Sequence, residues 1–72
     1  MKAVINNDYV VTIGESARLS QVSKTWTFIR VKKGTFADIE LARAASAGMF
    51  DLDDQGGDWR LTIKTENVKW ED

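Results

Sequence analysis

The sequence predicts an α+β domain: an antiparallel sheet of four to five strands with one α-helix, about residues 36–46, packed across one face. Three observations predict it. One stretch alone, Thr35 to Gly48, has helical composition with a signal at each end. β-Branched and aromatic residues gather elsewhere in short runs bounded by Gly, Asn, Asp or Ser. The resulting order is strand, strand, loop, strand, helix, strand, strand, which lacks the regular alternation that builds a parallel sheet. A β-grasp-like arrangement, with a parallel central pair, is the alternative.

The first strands are Lys2–Ile5 and Tyr9–Ile13, separated by Asn6-Asn7-Asp8. Asn and Asp tolerate the positive φ of tight turns, so a hairpin is expected, with a single longer bulged strand as the competing reading. Gly14 to Ser23 is small and polar, with only Leu19 and Val22 as large apolar residues, and reads as a loop with one helical turn at Ser16–Leu19. Lys24–Lys33 is the strongest strand: Trp26 and Phe28 point one way, Ile29 and Val31 the other. That pattern suits a central strand, or one with a bulge near Phe28.

The helix should open at Thr35, whose hydroxyl suits an N-cap. Asp38 three residues on forms a variant of the capping box, and Glu40 adds negative charge to the first turns. Gly48 suits the left-handed residue that closes a helix, with Met49 as the apolar contact beyond it. At 100° per residue Phe36, Ile39, Ala42, Ser46 and Met49 share a stripe, which is expected to meet the sheet, with Leu41 and Ala45 flanking it and Glu40 and Ala44 facing away. Residues 49–58 read as an acidic, glycine-rich loop. Trp59, Leu61 and Ile63 then alternate with Arg60, Thr62 and Lys64 as a half-buried strand. Thr65-Glu66-Asn67 makes a turn, and Val68 and Trp70 mark a last short strand. Trp59 is the expected core tryptophan.

The composition excludes much chemistry. A chain of 72 residues is one domain near the lower size limit for an unassisted core. It holds no Cys and no His, so it has no disulfide, no thiol nucleophile, no imidazole base and no ordinary zinc site. Asp51-x-Asp53-x-Gln55-Gly56 overlaps the start of an EF-hand loop, but the twelfth position is Thr62 and flanking helices are lacking. Gly56-Gly57 precedes Asp58 and a strand, which is unlike a phosphate cradle. No enzyme activity, cofactor or metal is expected. No apolar run has the length of a membrane span, and a cytoplasmic location is expected.

The net charge is −1 but unevenly laid out. Residues 1–33 hold six Lys/Arg against two acids, and residues 34–72 hold four against nine. Asp51, Asp53, Asp54 and Asp58 form an acidic set, fit to meet an Arg/Lys-rich surface. The expected function is therefore a non-enzymatic protein-binding module. It has the size of phage or mobile-element inhibitors, and would block a basic, nucleic-acid-handling surface of a larger partner through those four aspartates. The alternative is a nucleic-acid-binding module using Lys24, Trp26, Arg30, Lys32 and Lys33, where cations meet phosphate and rings stack on bases. A monomer and a homodimer joined by an exposed strand edge are both compatible with the sequence.

Overall fold

The computed structural model describes residues 1–72. Seven strands and one helix follow in the order β1 (Lys2–Ile5), β2 (Tyr9–Thr12), β3 (Ala17–Val22), β4 (Trp26–Lys32), α1 (Ala37–Ser46), β5 (Asp51–Gln55), β6 (Asp58–Lys64) and β7 (Val68–Glu71). A single 3₁₀ turn, Thr65–Asn67, joins β6 to β7. The class is α+β, with the helix packed against a sheet. The strands divide between two sheets, ordered β2-β1-β7 and β3-β4-β6-β5. Every pairing is antiparallel, so the parallel pair of a β-grasp is not formed.

The first hairpin turns where Asn6 and Asn7 both take positive φ, 53° and 59°, and the Asp8 amide donates to the Ile5 carbonyl at 3.0 Å. This is the I′ geometry whose twist matches a hairpin. Strand β7 adds to the far side of β1, so the two ends of the chain lie in one sheet. Its inward residues Ala3, Ile5 and Val11 join Leu41 and Ala44 of the helix over Ile29, Val31, Leu61 and Ile63 of the larger sheet. Helix and small sheet thus share one face of the four-stranded sheet and leave the other open. Thr27, the one buried polar side chain, is satisfied by the Thr65 hydroxyl at 2.9 Å.

Two stretches expected as loops are strands. Ala17–Val22 forms β3 along the edge of β4, with a register shift between Leu19 and Gln21. The bulge expected near Phe28 therefore lies on its neighbour, and β4 itself alternates cleanly. Residues 51–55 form β5, paired with β6 around Gly56-Gly57. Positive φ falls only on Gly56, at 80°, the pattern of a II′ turn. An acidic segment becomes a strand because β6 supplies its hydrogen bonds and because it sits at an edge, where charge is tolerated and blocks further pairing.

The helix lies where the sequence places it but turned by more than a quarter of a revolution. Leu41 and Ala44 are buried, while Phe36 is 96% exposed and Ile39 63% exposed. Phe36, Ile39, Ala42 and Ser46 of the expected stripe lie on the solvent side, Met49 packs against the core, and Ala44 faces in. Three alanines (Ala37, Ala44, Ala45) around the single Leu41 let the helix approach closely, which the bulk of Phe36 and Ile39 would prevent. The helix begins after Phe36, whose side chain caps nothing, so the expected Thr35 cap is displaced by one residue: Thr35 Oγ1 accepts from the Ala37 amide at 3.2 Å, and Asp38 Oδ2 accepts from the Gly34 amide at 2.8 Å instead of closing a box on Thr35. Gly48 has the left-handed φ of 83° expected of it.

Candidate binding face of the four-stranded sheet

Alternation along four paired strands decides what reaches the open face. Trp26, Phe28, Arg30 and Lys32 come from β4, and Asp58, Arg60, Thr62 and Lys64 from β6. Asp51, Asp53 and Gln55 come from β5, and Arg18 and Gln21 from β3. Read across the strands, one row runs Arg18, Arg30, Arg60, Asp53 and another Gln21, Phe28, Thr62, Asp51. Trp26 stands at the end of β4 opposite Lys64 and is 40% exposed.

Three arginines directly abreast repel one another. Two aspartates hold them in place. Asp58 Oδ2 lies 2.8 Å from the Arg18 guanidinium and 3.7 Å from that of Arg30. Asp53 Oδ2 accepts from Arg60 at 3.2 Å, and the Arg60 guanidinium also lies over the Phe28 ring, 5.3 Å from its centroid. The Arg60 Nε is buried without a hydrogen-bond partner. Around the β5 edge Lys33 pairs with Asp54 and lies 4.4 Å from the Trp59 ring centroid. The Lys33 ammonium first, and the Gly56 amide second, hold the Asp54 carboxyl below the usual carboxylate range.

The two sets of residues singled out in the sequence thus become neighbours. The basic strand and the acidic segment neutralise each other across the sheet: Arg30 with Asp58, Lys33 with Asp54. Asp53 and Asp58 lie on the open face with ion-pair partners, and Asp51 lies there with none. Lys32 shares the open face, whereas Lys24 sits beyond the end of β4, lining a shallow cleft of about 320 Å³ with Thr25, Lys64 and Glu66. Arg18 and Arg60 belong to the face but not to either set. Arg60 was recoverable from its place opposite Trp59 and Leu61 in the alternation; Arg18 lay in a stretch without strand pattern.

Trp59 turns to the helix side, half-buried, and its indole N–H donates to Asp38 at 3.1 Å. Trp70 stands across from buried Ala3 but is still 38% exposed. No helix is long and apolar enough to cross a membrane. The chain matches no family model, and no characterised protein or solved structure is significantly similar to it.

Proposed function

We propose that this protein is a non-enzymatic binding module whose working surface is the open face of the four-stranded sheet, and that its target is a larger protein. The observation that carries it is Trp26, exposed at the end of a central strand, followed along the same face by Phe28 and then by the row Arg18, Arg30 and Arg60. Trp and Arg are the residue types that dominate binding energy at protein interfaces, and a preformed sheet presents them with little left to order on binding. The aspartates interleaved with the arginines favour a partner of mixed charge over bare phosphate. A finer form of this reading is inhibition: the module covers a surface on which the partner handles nucleic acid. Asp51 and Asp53 on the open side of β5 then meet its cations, with Asp54 reaching them only round the β5 edge from the helix side, and Asp58 keeps Arg18 and Arg30 aligned.

A second reading is single-stranded nucleic-acid binding. It is favoured by Trp26 and Phe28 at alternate positions of one strand, with Lys24 and Lys64 at the end beside them.

Affinity capture from an extract of the native cell, with and without nuclease, separates the two. The tagged wild-type chain, Trp26→Ala and Asp51→Lys/Asp54→Lys are compared, with thermal melts showing that each variant folds. The proposal expects a nuclease-resistant protein that Trp26→Ala loses at least tenfold. Retention by Trp26→Ala with loss in the double lysine variant would move the contact to the β5 edge. Capture that disappears with nuclease would give the face to nucleic acid.

A further inference from the structure

Strand β7 closes one side of the small sheet and has no partner beyond it. Pairing with β1 fixes which of its backbone groups are free. The Asn6 amide donates to the Asn67 carbonyl at 2.9 Å. In an antiparallel register the pairs that exchange backbone bonds recur at every second residue, so Val4–Lys69 and Lys2–Glu71 are the next ones. The backbone groups of Val68 and Trp70 therefore point away from β1. The Val68 amide is spent on the Thr65 carbonyl, which leaves the Val68 carbonyl and both groups of Trp70 on the free edge. On the outer face of this strand Lys69 and Glu71 are exposed and in no ion pair. On its inner face Trp70 lies across from Ala3 and is still 38% exposed.

An edge built this way is complementary to itself. We propose that β7 pairs antiparallel with β7 of a second copy about a two-fold axis at Trp70, joining the two small sheets into one. Trp70 of each copy then exchanges both backbone bonds with Trp70 of the other. The Asp72 amide of each reaches the other's Val68 carbonyl. Outward-pointing groups meet only in registers two residues apart. Centred on Trp70, the pairing sets Lys69 of each copy opposite Glu71 of the other. Shifted one way it sets Lys69 against Lys69, and shifted the other way Glu71 against Glu71. Charge thus selects one register among those the backbone allows. It also leaves Glu71 between Lys2 of its own chain and Lys69 of the other. The two Trp70 rings stand side by side on the inner face and shield each other from water.

In strand addition the main-chain bonds supply the affinity and the side chains the specificity, so such an edge pairs without a broad buried surface. The other free edges lack this match. Strand β5 would set aspartates against aspartates, β3 is broken by its register shift, and β2 has no charge to fix a register. An axis normal to the joined sheet leaves both four-stranded faces open and on the same side, so a target with two sites gains from their linkage.

Sedimentation equilibrium from micromolar to millimolar concentration tests the pairing. The wild-type chain is expected to rise from 8.1 kDa towards twice that mass. Lys69→Glu leaves two acids at the paired positions, and Glu71→Lys leaves two lysines. Each variant alone should associate roughly tenfold more weakly, because both cross-strand attractions become repulsions, while circular dichroism shows it folded. Mixed in equal amounts the two variants should associate as the wild type does, since every Glu then meets a Lys. Amide exchange gives the second reading: Trp70 should slow as wild-type concentration rises, with Val10 on the β2 edge unchanged. A wild-type chain monomeric throughout would overturn the proposal. So would variants that self-associate as the wild type does, or a mixture that stays monomeric. Protection gained at Val10 and not at Trp70 would place the contact on another edge and overturn it as well. None of these residues lies on the face that carries Trp26, so the outcome is independent of the sheet-face reading.

Discussion

At the scale of single residues the fold fixes groups whose chemistry the sequence leaves ordinary. Tyr9 stands opposite Ile5 on the inward side of β2, its ring 5.6 Å from that of Phe50. Burial first, and the charge of Glu40 second, push its phenol above the usual value of 10.0. Tyr9 is the one tyrosine, so an ultraviolet absorbance titration reports it alone. Its midpoint is expected above 10.0. Glu40→Gln should bring the midpoint part of the way down, because burial is the larger cause. The fold therefore favours the protonated phenol. Its contribution is intact below the unfolded value and is lost as pH rises through the folded one. A midpoint at or below the usual value would place the ring in water.

At the scale of elements, the helix shows how a periodic sequence offers two faces and packing chooses one. Phe36 and Ile39 made the larger apolar stripe, yet Leu41 with Ala37, Ala44 and Ala45 is the stripe that fits. Position along the chain and the closing Gly48 were legible, and the N-terminal signal was legible to within one residue, since Thr35, Asp38 and Gly48 act on backbone groups within one turn. Rotation was not, because it depends on how closely the helix can approach β2 and the larger sheet. The choice has a measurable consequence. Leu41→Ala, at a side chain 1% exposed, should cost about 2–5 kcal/mol in urea denaturation. Ile39→Ala should change stability by no more than about 0.5 kcal/mol. Reversed magnitudes would mean that the Phe36–Ile39 stripe is the one against the sheet.

At the scale of the whole molecule, seven short strands are held by their order more than by their composition. Strands β4 and β6 are flanked on both edges, whereas β3 and β5 each have one free edge. Amide exchange followed by nuclear magnetic resonance should therefore be slowest at Thr27, Ile29, Leu61 and Ile63, and faster along β3 and β5. Earlier exchange in β4 than in β5 would contradict this arrangement. The same order explains the charges. The basic first half and acidic second half of the chain are brought together when β6 inserts between β4 and β5. Asp58 then lies within reach of Arg18 and Arg30, and Asp53 within reach of Arg60. Segregation along the chain becomes alternation on the sheet, and the open face displays Trp26 among paired charges.

The sequence by itself determined what is decided within one turn or one strand: the Asn6-Asn7 hairpin, the helix and its closing Gly48, and the alternation of β4 and β6. Each rests on backbone conformation or on a period that neighbouring residues set, so a local pattern is enough. Tertiary structure alone decided that residues 17–22 and 51–55 are strands, which helix face is buried, and which aspartate meets which base. Those outcomes need partners from distant parts of the chain. An edge strand takes its hydrogen bonds from a neighbour, a helix takes its rotation from steric fit, and a carboxylate takes its partner from register. The candidate face was half legible for the same reason: Trp26, Arg30 and Lys32 could be placed along their own strand, but Arg18 and Arg60 joined them only through pairing.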